Sequence, residues 1–352
     1  MASGVLRAVG RSLRHNRRRR YVVRRLALLI PQLLGISVVT FLSVRLLPGN
    51  PAVVLLGPLR TAGGVARLSH QLGLDKPLDE QYWVYLQHVL AGNFGRSFYT
   101  GNSVGHDLVT RVPATLELLF CAMLVAVTSG LVIGVTAALR NNRGWFVRGT
   151  TAYGRLAGAF PDFWVGLVAI YIFFFRLRWF PAPLGRLSIA ATPPPHISGF
   201  YTIDSILAGN LTLLGDAVAH LALPVMVLGL IVTPIVAKTV NAAVTDSLQS
   251  EYVRYARACG IRRSVLVRYV LRNSAAPVIT ITGVLFVYLL GGDVLIEKVF
   301  SWSGVGLYAV QGVVNDDYFA VQGFVLIATL FTVGVFLIVD LLHLVIDPRV
   351  EL

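Results

Sequence analysis

Crossing the hydrocarbon core of a bilayer as a helix takes about 20 apolar residues. Six stretches of this chain qualify, at about 26–47, 113–139, 156–175, 217–240, 275–296 and 321–346. The third carries Pro161 and Asp162 near its start, and the fourth contains Pro224 and Pro234. The apolar residues around 181–195 are too rich in proline to continue as helix. Between the first two spans lies a segment of 65 residues, 48–112, with a helical piece at 80–90. A connection that long is functional or forms a small subdomain. The pattern predicts an all-α polytopic membrane protein with six transmembrane helices.

Charge fixes the expected orientation. Of the 31 Lys and Arg, nine fall in residues 1–25, four in 140–155, seven in 238–272 and one in the tail 347–352. The alternate connections hold five in 48–112, three in 176–216 and one in 297–320, with Arg45 inside the first span. Basic residues collect on the cytoplasmic side, so both termini are expected there. The chain then divides into a basic arm (1–25), the first span (26–47), an extracytoplasmic subdomain (48–112), a core (113–346) and a short tail (347–352). The 22-residue first run exceeds a signal-peptide core of about 7–15 residues and lacks a small-x-small cleavage site, so it reads as uncleaved. Its Arg-rich arm is expected to lie on anionic lipid.

Composition agrees. The chain is 55% hydrophobic and 14% charged, with mean hydropathy +0.70, against about 45–50% and 25% for soluble domains. The net charge of +14 is accounted for by topology. No helix-turn-helix, RNP or zinc pattern accompanies it, so a nucleic-acid partner is not expected. Cys121 and Cys259 form no disulfide framework.

Catalytic signatures are poor. Gly101-Asn-Ser103-Val-Gly105 fits G-x-S-x-G by letter, but a nucleophile elbow needs a buried strand before it, and polar loop residues stand there. The seven histidines form no metal-ligand spacing. A Walker A loop needs Gly-Lys, and Lys76, Lys238 and Lys298 follow Asp75, Ala237 and Glu297. ATP-driven transport would therefore need its ATPase on another subunit. No cofactor, metal or catalytic residue is expected on this chain.

Ionisable residues within spans are functional candidates by default. Glu117 either faces a substrate path or is a carboxylate at the membrane interface or bonded to a neighbouring helix. Asp293 sits beside Gly291-Gly292, where a wet location is expected. Asp340 and His343 share a face of the sixth span at i, i+3, suited to an interhelical hydrogen bond or a proton relay. Lys238 reads as a snorkelling anchor. Gly130 and Gly134, four apart, predict close helix packing.

The segment 251–273 combines six arginines with one acid, Glu251. A polybasic cytoplasmic segment binds anionic lipid, which accounts for its charge but not its arrangement. Residues 246–259 favour helix, with Glu251 placed to pair Arg254. Gly260 breaks it, and 261–272 resumes with Ile261, Val265 and Tyr269 on one stripe. Two short helices about a glycine turn form an element suited to docking on another protein, with tyrosines giving shape and arginines charge.

Glu251-Tyr-Val-Arg-Tyr-Ala-Arg-Ala-Cys-Gly260 resembles the EAA loop of ABC importer permeases of the dipeptide/oligopeptide/nickel branch. The general motif has Glu-Ala-Ala where this chain has Arg254, Tyr255 and Ala256, and a later proline where it has Arg272. Both departures are characteristic of the peptide branch. Further matching stretches are Leu47-Pro-Gly-Asn-Pro51, Leu72-Gly-Leu-Asp-Lys-Pro77, Asn93-Phe-Gly-Arg-Ser97, Arg111-Val-Pro-Ala-Thr-Leu-Glu-Leu118, Phe300-Ser-Trp-Ser-Gly-Val-Gly306, Asp317-Tyr318 and Asp347-Pro-Arg349. The resemblance implies a type I ABC importer permease fold in a bacterial inner membrane. It also implies a second related permease, two ATPase subunits carrying ATP and Mg, and an extracytoplasmic binding protein that delivers di- or oligopeptides. Glu251, Tyr252, Arg254, Tyr255, Ala256, Arg257, Gly260 and Arg272 would then couple to the ATPase. Nickel or another small solute is the alternative cargo. A stand-alone secondary transporter is the rival machine, though no internal repeat supports it.

Overall fold

A computed structural model describes residues 23–24, 27–42, 53, 56, 61–71, 73–140 and 144–346. The tail 347–352, the end of the first expected span (43–47) and all of the basic arm except Val23 and Arg24 lie outside the described residues.

The described chain is helical, with one isolated antiparallel bridge between Arg96 and Ser103. An apolar helix α1, Ala27–Leu42, stands for the first expected span. Helices α2 (Ala62–Gln71) and α3 (Leu78–Leu90) fall in the long connection. Then come α4 (Val104–Leu139), α5 (Trp145–Ala157), and α6 (Asp162–Ala169), which runs on as π-helix over Ile170–Arg176. They are followed by α7 (Tyr201–Leu207), α8 (Leu211–Gln249), α9 (Glu251–Ala258) and α10 (Arg263–Asn273). The last four are α11 (Ala275–Gly292), α12 (Val294–Val299), α13 (Val305–Val314) and α14 (Tyr318–Ile346). Among the described residues, α4, α8, α11 and α14 are long and apolar enough to cross a membrane, and α5 with α6 makes a fifth span if the bent pair is one.

Helices α4 and α8 pack in parallel along a seam of small residues. A Cβ on Gly130 would lie 2.7 Å from Val236, one on Gly134 2.6 Å from the Ala237 carbonyl, and one on Gly229 2.9 Å from Val125. The spacing of Gly130 and Gly134 thus does what it predicts, letting two backbones approach without intervening side chains. Ser129 and Thr233 share a hydroxyl hydrogen bond of 2.8 Å across the same seam.

Two expectations are corrected in detail. The third span is not one helix over 156–175: α5 and α6 meet at 105°, because Pro161 has no N–H and disfavours helix at the residue before it. The fourth reaches well beyond 217–240 despite two interior prolines. Pro234 cannot bond the Leu230 carbonyl four residues back, and the Tyr153 hydroxyl of α5 donates to that carbonyl instead.

Candidate functional site

Helix α8 ends where Ser250 turns into the extended region (φ −65, ψ 151). The expected helix over 246–259 is therefore broken, with α9 starting at Glu251. Gly260 adopts φ +72, a left-handed turn that suits glycine, and α10 follows. One face of this pair is anchored: Val253, Leu266 and Val270 are buried in the main core with Val240 and Val244 of α8. The Ser274 hydroxyl donates to the Ala243 carbonyl at 2.9 Å. The other face is bare. Tyr255 is 74% exposed, and Tyr252, Ile261, Val265 and Tyr269 are exposed with it. The stripe of Ile261, Val265 and Tyr269 points away from the chain's own core. Arg254, Arg257, Arg262, Arg263, Arg268 and Arg272 are all exposed around it. Glu251 pairs with Arg254 at 2.8 Å, but both ends lie in solvent, so that pair adds little stability. An aromatic surface ringed by guanidinium groups and rigidly seated from behind is suited to capture by an acidic groove.

The opposite end of α8 lies about 58 Å away along a helix of 39 residues. Here several matching stretches of the sequence converge. Thr115 of α4 donates to Glu297 Oε1 at 2.5 Å and accepts from the Val305 N–H at 2.8 Å. The Leu307 N–H donates to Glu297 Oε2 at 2.7 Å, and Trp302 Nε1 donates to the Ala114 carbonyl at 2.8 Å. A Cβ at Gly304 would collide with the Glu297 carboxyl and Thr115, which explains a glycine there. Glu297, beyond the end of α11, is buried, and burial pushes its carboxyl up to about 7 against hydrogen bonds from Thr115, Leu307 and Gly306 and the charge of Arg111. Nearby, Ser97 donates to Asp317 Oδ2 at 2.5 Å, and the Ala320 N–H donates to Oδ1 at 3.1 Å. This joins the stretches 93–97 and 317–318.

Glu117 is buried and ion-paired with Arg186 at 2.5 Å. It also accepts from the Thr202 N–H and hydroxyl at 2.8 and 2.6 Å. Arg186 donates further to the Gly199 carbonyl and lies over the Tyr201 ring. The proline-rich connection is thus clamped to α4.

The segment matching the description "binding-protein-dependent transport system inner membrane component" covers residues 130–352, and its N-terminal counterpart covers 18–119. This chain belongs to that family. The permease is 39% identical to the di/tripeptide transport system permease protein DppB of Pseudomonas aeruginosa, over 94% of its own length and 98% of the relative's. It is 38% identical to a probable D,D-dipeptide transport system permease protein of Escherichia coli, over 90% and 93%. It is 35% identical to a glutathione transport system permease protein of Salmonella typhi, over 94% and 98%. It is a multi-pass membrane protein and a non-catalytic subunit of an ABC transport system. Ser103, the serine of G-x-S-x-G, caps α4 by accepting from the His106 N–H.

The four intraspan candidates of the permease do not share one site. Glu117 is held in the clamp just described. Asp293 stands at the end of α11, is 4% exposed, and its two carboxylate oxygens have no hydrogen-bond partner among the described residues. His343 reaches Thr280 and the Ala276 carbonyl of α11, each at 3.1 Å, at the start of α11 next to α10, and Asp340 lies one turn before it. Arg186 and Glu297 were not singled out by the sequence. The signal for Glu297 was a carboxylate just ahead of the close-spaced Gly304 and Gly306. Arg186 carried none, because its segment has no periodicity.

Proposed function

We propose that this permease forms half of the translocation path of an ATP-driven importer of di- and oligopeptides in a bacterial inner membrane. The distribution of Lys and Arg favours six spans with both termini in the cytoplasm. Residues 251–273 are then cytoplasmic, and the Glu297 cluster lies at the extracytoplasmic end. A second related permease completes the path, and two ATPase subunits that bind ATP and Mg sit beneath. A binding protein delivers peptide from outside. The reported relatives are named for di/tripeptides, D,D-dipeptides and glutathione, which favours short peptides over nickel as cargo.

The observation that carries this reading is the two-sided character of α9 and α10. Val253, Leu266 and Val270 fix the element to α8, while Tyr255, Tyr269 and the arginines stay exposed on its other face. Closure of the ATPases on ATP would move residues 247–272 as a lever and shift the path between inward- and outward-facing states. Such a shift needs contacts that differ between the two states. The test combines Gly260→Pro with Arg257→Glu in the assembled transporter. Loss of peptide uptake and of substrate-stimulated ATPase activity is expected. Survival of both would remove the coupling role, and failure of ATPase subunits to co-purify with the wild-type chain would favour a stand-alone transporter.

A further inference from the structure

At the end opposite the coupling element, a polar cavity of about 480 Å³ opens between the start of α4 and the proline-rich connection. Arg111, Arg186, His106, Tyr201, Ser188 and Ser303 are among its lining residues. We propose that this cavity binds the C-terminal carboxylate of the transported peptide, with Arg111 as the principal receptor and Arg186 beside it.

The hydrogen-bonding capacity around the cavity is lopsided. Asp107, the one acid in its lining, is buried and already accepts from Thr100 at 2.5 Å and Asn102 at 3.2 Å. Glu117 is saturated by Arg186 and Thr202. Arg111 is half-buried and lies over the Tyr308 ring, 5.0 Å from its centroid. Among the described residues it makes no hydrogen bond and no ion pair. A guanidinium carries five N–H donors, so none of Arg111's is used by the described residues, although its charge acts on Glu297. Arg186 is 8% exposed, and its Nε is buried without an acceptor. The unused fork of Arg111, in an open cavity that Arg186 also lines, matches a planar carboxylate that accepts two bonds at once. The volume falls within the range of small-ligand sites, about 300–1,000 Å³.

The placement of both arginines over aromatic rings is part of the fit. Arg186 lies 3.5 Å from the Tyr201 ring centroid. A guanidinium held over a ring has less side-chain entropy left to lose when its donors are used. An acidic side chain of the binding protein offers the same chemistry, and the experiment separates that source from the peptide.

This inference rests on the permease reading, and its test reads the cavity directly. In the complete transporter, with Cys121 and Cys259 replaced by alanine, Ser303→Cys provides a thiol on the cavity rim. Its modification by a neutral, water-soluble maleimide is followed without the binding protein. An acetylated dipeptide with a free carboxylate should slow labelling, and the same dipeptide as its amide should not. Arg111→Gln should raise the concentration needed for protection by about tenfold or more, as expected for a lost charge-assisted hydrogen bond. Arg111→Lys, which keeps the charge, should protect at an intermediate concentration and controls for folding. Equal protection by the amide, or unchanged protection in Arg111→Gln, overturns the proposal. Protection that appears only on adding peptide-free binding protein assigns the cavity to that protein and overturns it as well. The co-purification of ATPase subunits is scored separately, so loss of the importer reading and loss of this site are distinct results.

Discussion

The hydroxyl of Thr115 donates to Glu297 Oε1 across 2.5 Å, joining residues 182 positions apart. The bond ties α4 to α12, the short helix between α11 and α13. Because Glu297 is pushed from 4.5 to about 7, the folded state binds its proton more tightly than the unfolded chain does. Its contribution to stability is full below about pH 4.5 and is lost as pH rises through about 7, by about 3 kcal/mol in total. Glu297→Gln should flatten this part of the pH profile of thermal unfolding in detergent. An unchanged slope in the variant would show that another group titrates there.

The pair Glu117–Arg186 is buried, so removing one partner strands the other. Glu117→Gln alone should cost about 3–5 kcal/mol. Glu117→Gln with Arg186→Met should recover part of that loss, since the pair's net contribution is small when both charges go. A double-mutant cycle on detergent unfolding measures the coupling; additive losses would contradict the direct ion pair.

The two faces of α9 and α10 should separate under mutation. Val253→Ala leaves a void beside Val244 and should cost about 2 kcal/mol of permease stability. Tyr255→Ala and Tyr269→Ala should leave the isolated permease unchanged in melting temperature. Each should weaken retention of the ATPase subunits by about 1–2 kcal/mol if it is an interface anchor. The comparison is between pull-down yield and melting temperature in the same preparations.

Gly134→Leu should be far more damaging than Gly149→Leu. A side chain at 134 runs into Val240 and the Ala237 carbonyl, whereas nothing lies within 4 Å of a Cβ at 149. Overpacking of this kind costs about 1–3 kcal/mol or more. Yields of folded, monodisperse protein after solubilisation report the difference.

Hydropathy located α4, α8, α11 and α14 because lipid demands a continuous apolar run whatever the tertiary packing. It misplaced their ends, since His106, Asp107, Thr110 and Arg111 interrupt the apolar run in the first turns of α4, which pack through Val104 and Leu108 into a separate cluster with Val305 and Tyr308. There the Ser103 cap, not hydropathy, marks the start. The break at Ser250 was invisible because residues 246–259 hold neither Gly nor Pro; the need to bury Val253 against α8 turns the chain. Helix α5 escaped notice because Arg148 and Arg155 gave it the look of a cytoplasmic loop. The two short helices about Gly260 and their exposed aromatic, Arg-rich face were legible, since they lie in one contiguous stretch. The Thr115–Glu297 cluster and the Arg111–Arg186 cavity were not, because each is assembled from segments far apart along the chain.

The seam between α4 and α8 has a bearing on where cargo can travel. Where glycine Cα atoms touch the facing helix there is no gap wide enough for a water molecule, let alone a peptide. The two helices therefore form a sealed double wall from Val125 and Gly229 to Gly134 and Val240. A conduit through the transporter has to run along the outside of that wall. A bulky thiol-reactive reagent that enters the working transporter should accordingly never label Thr233→Cys, whose side chain is already accommodated on the seam against Ser129.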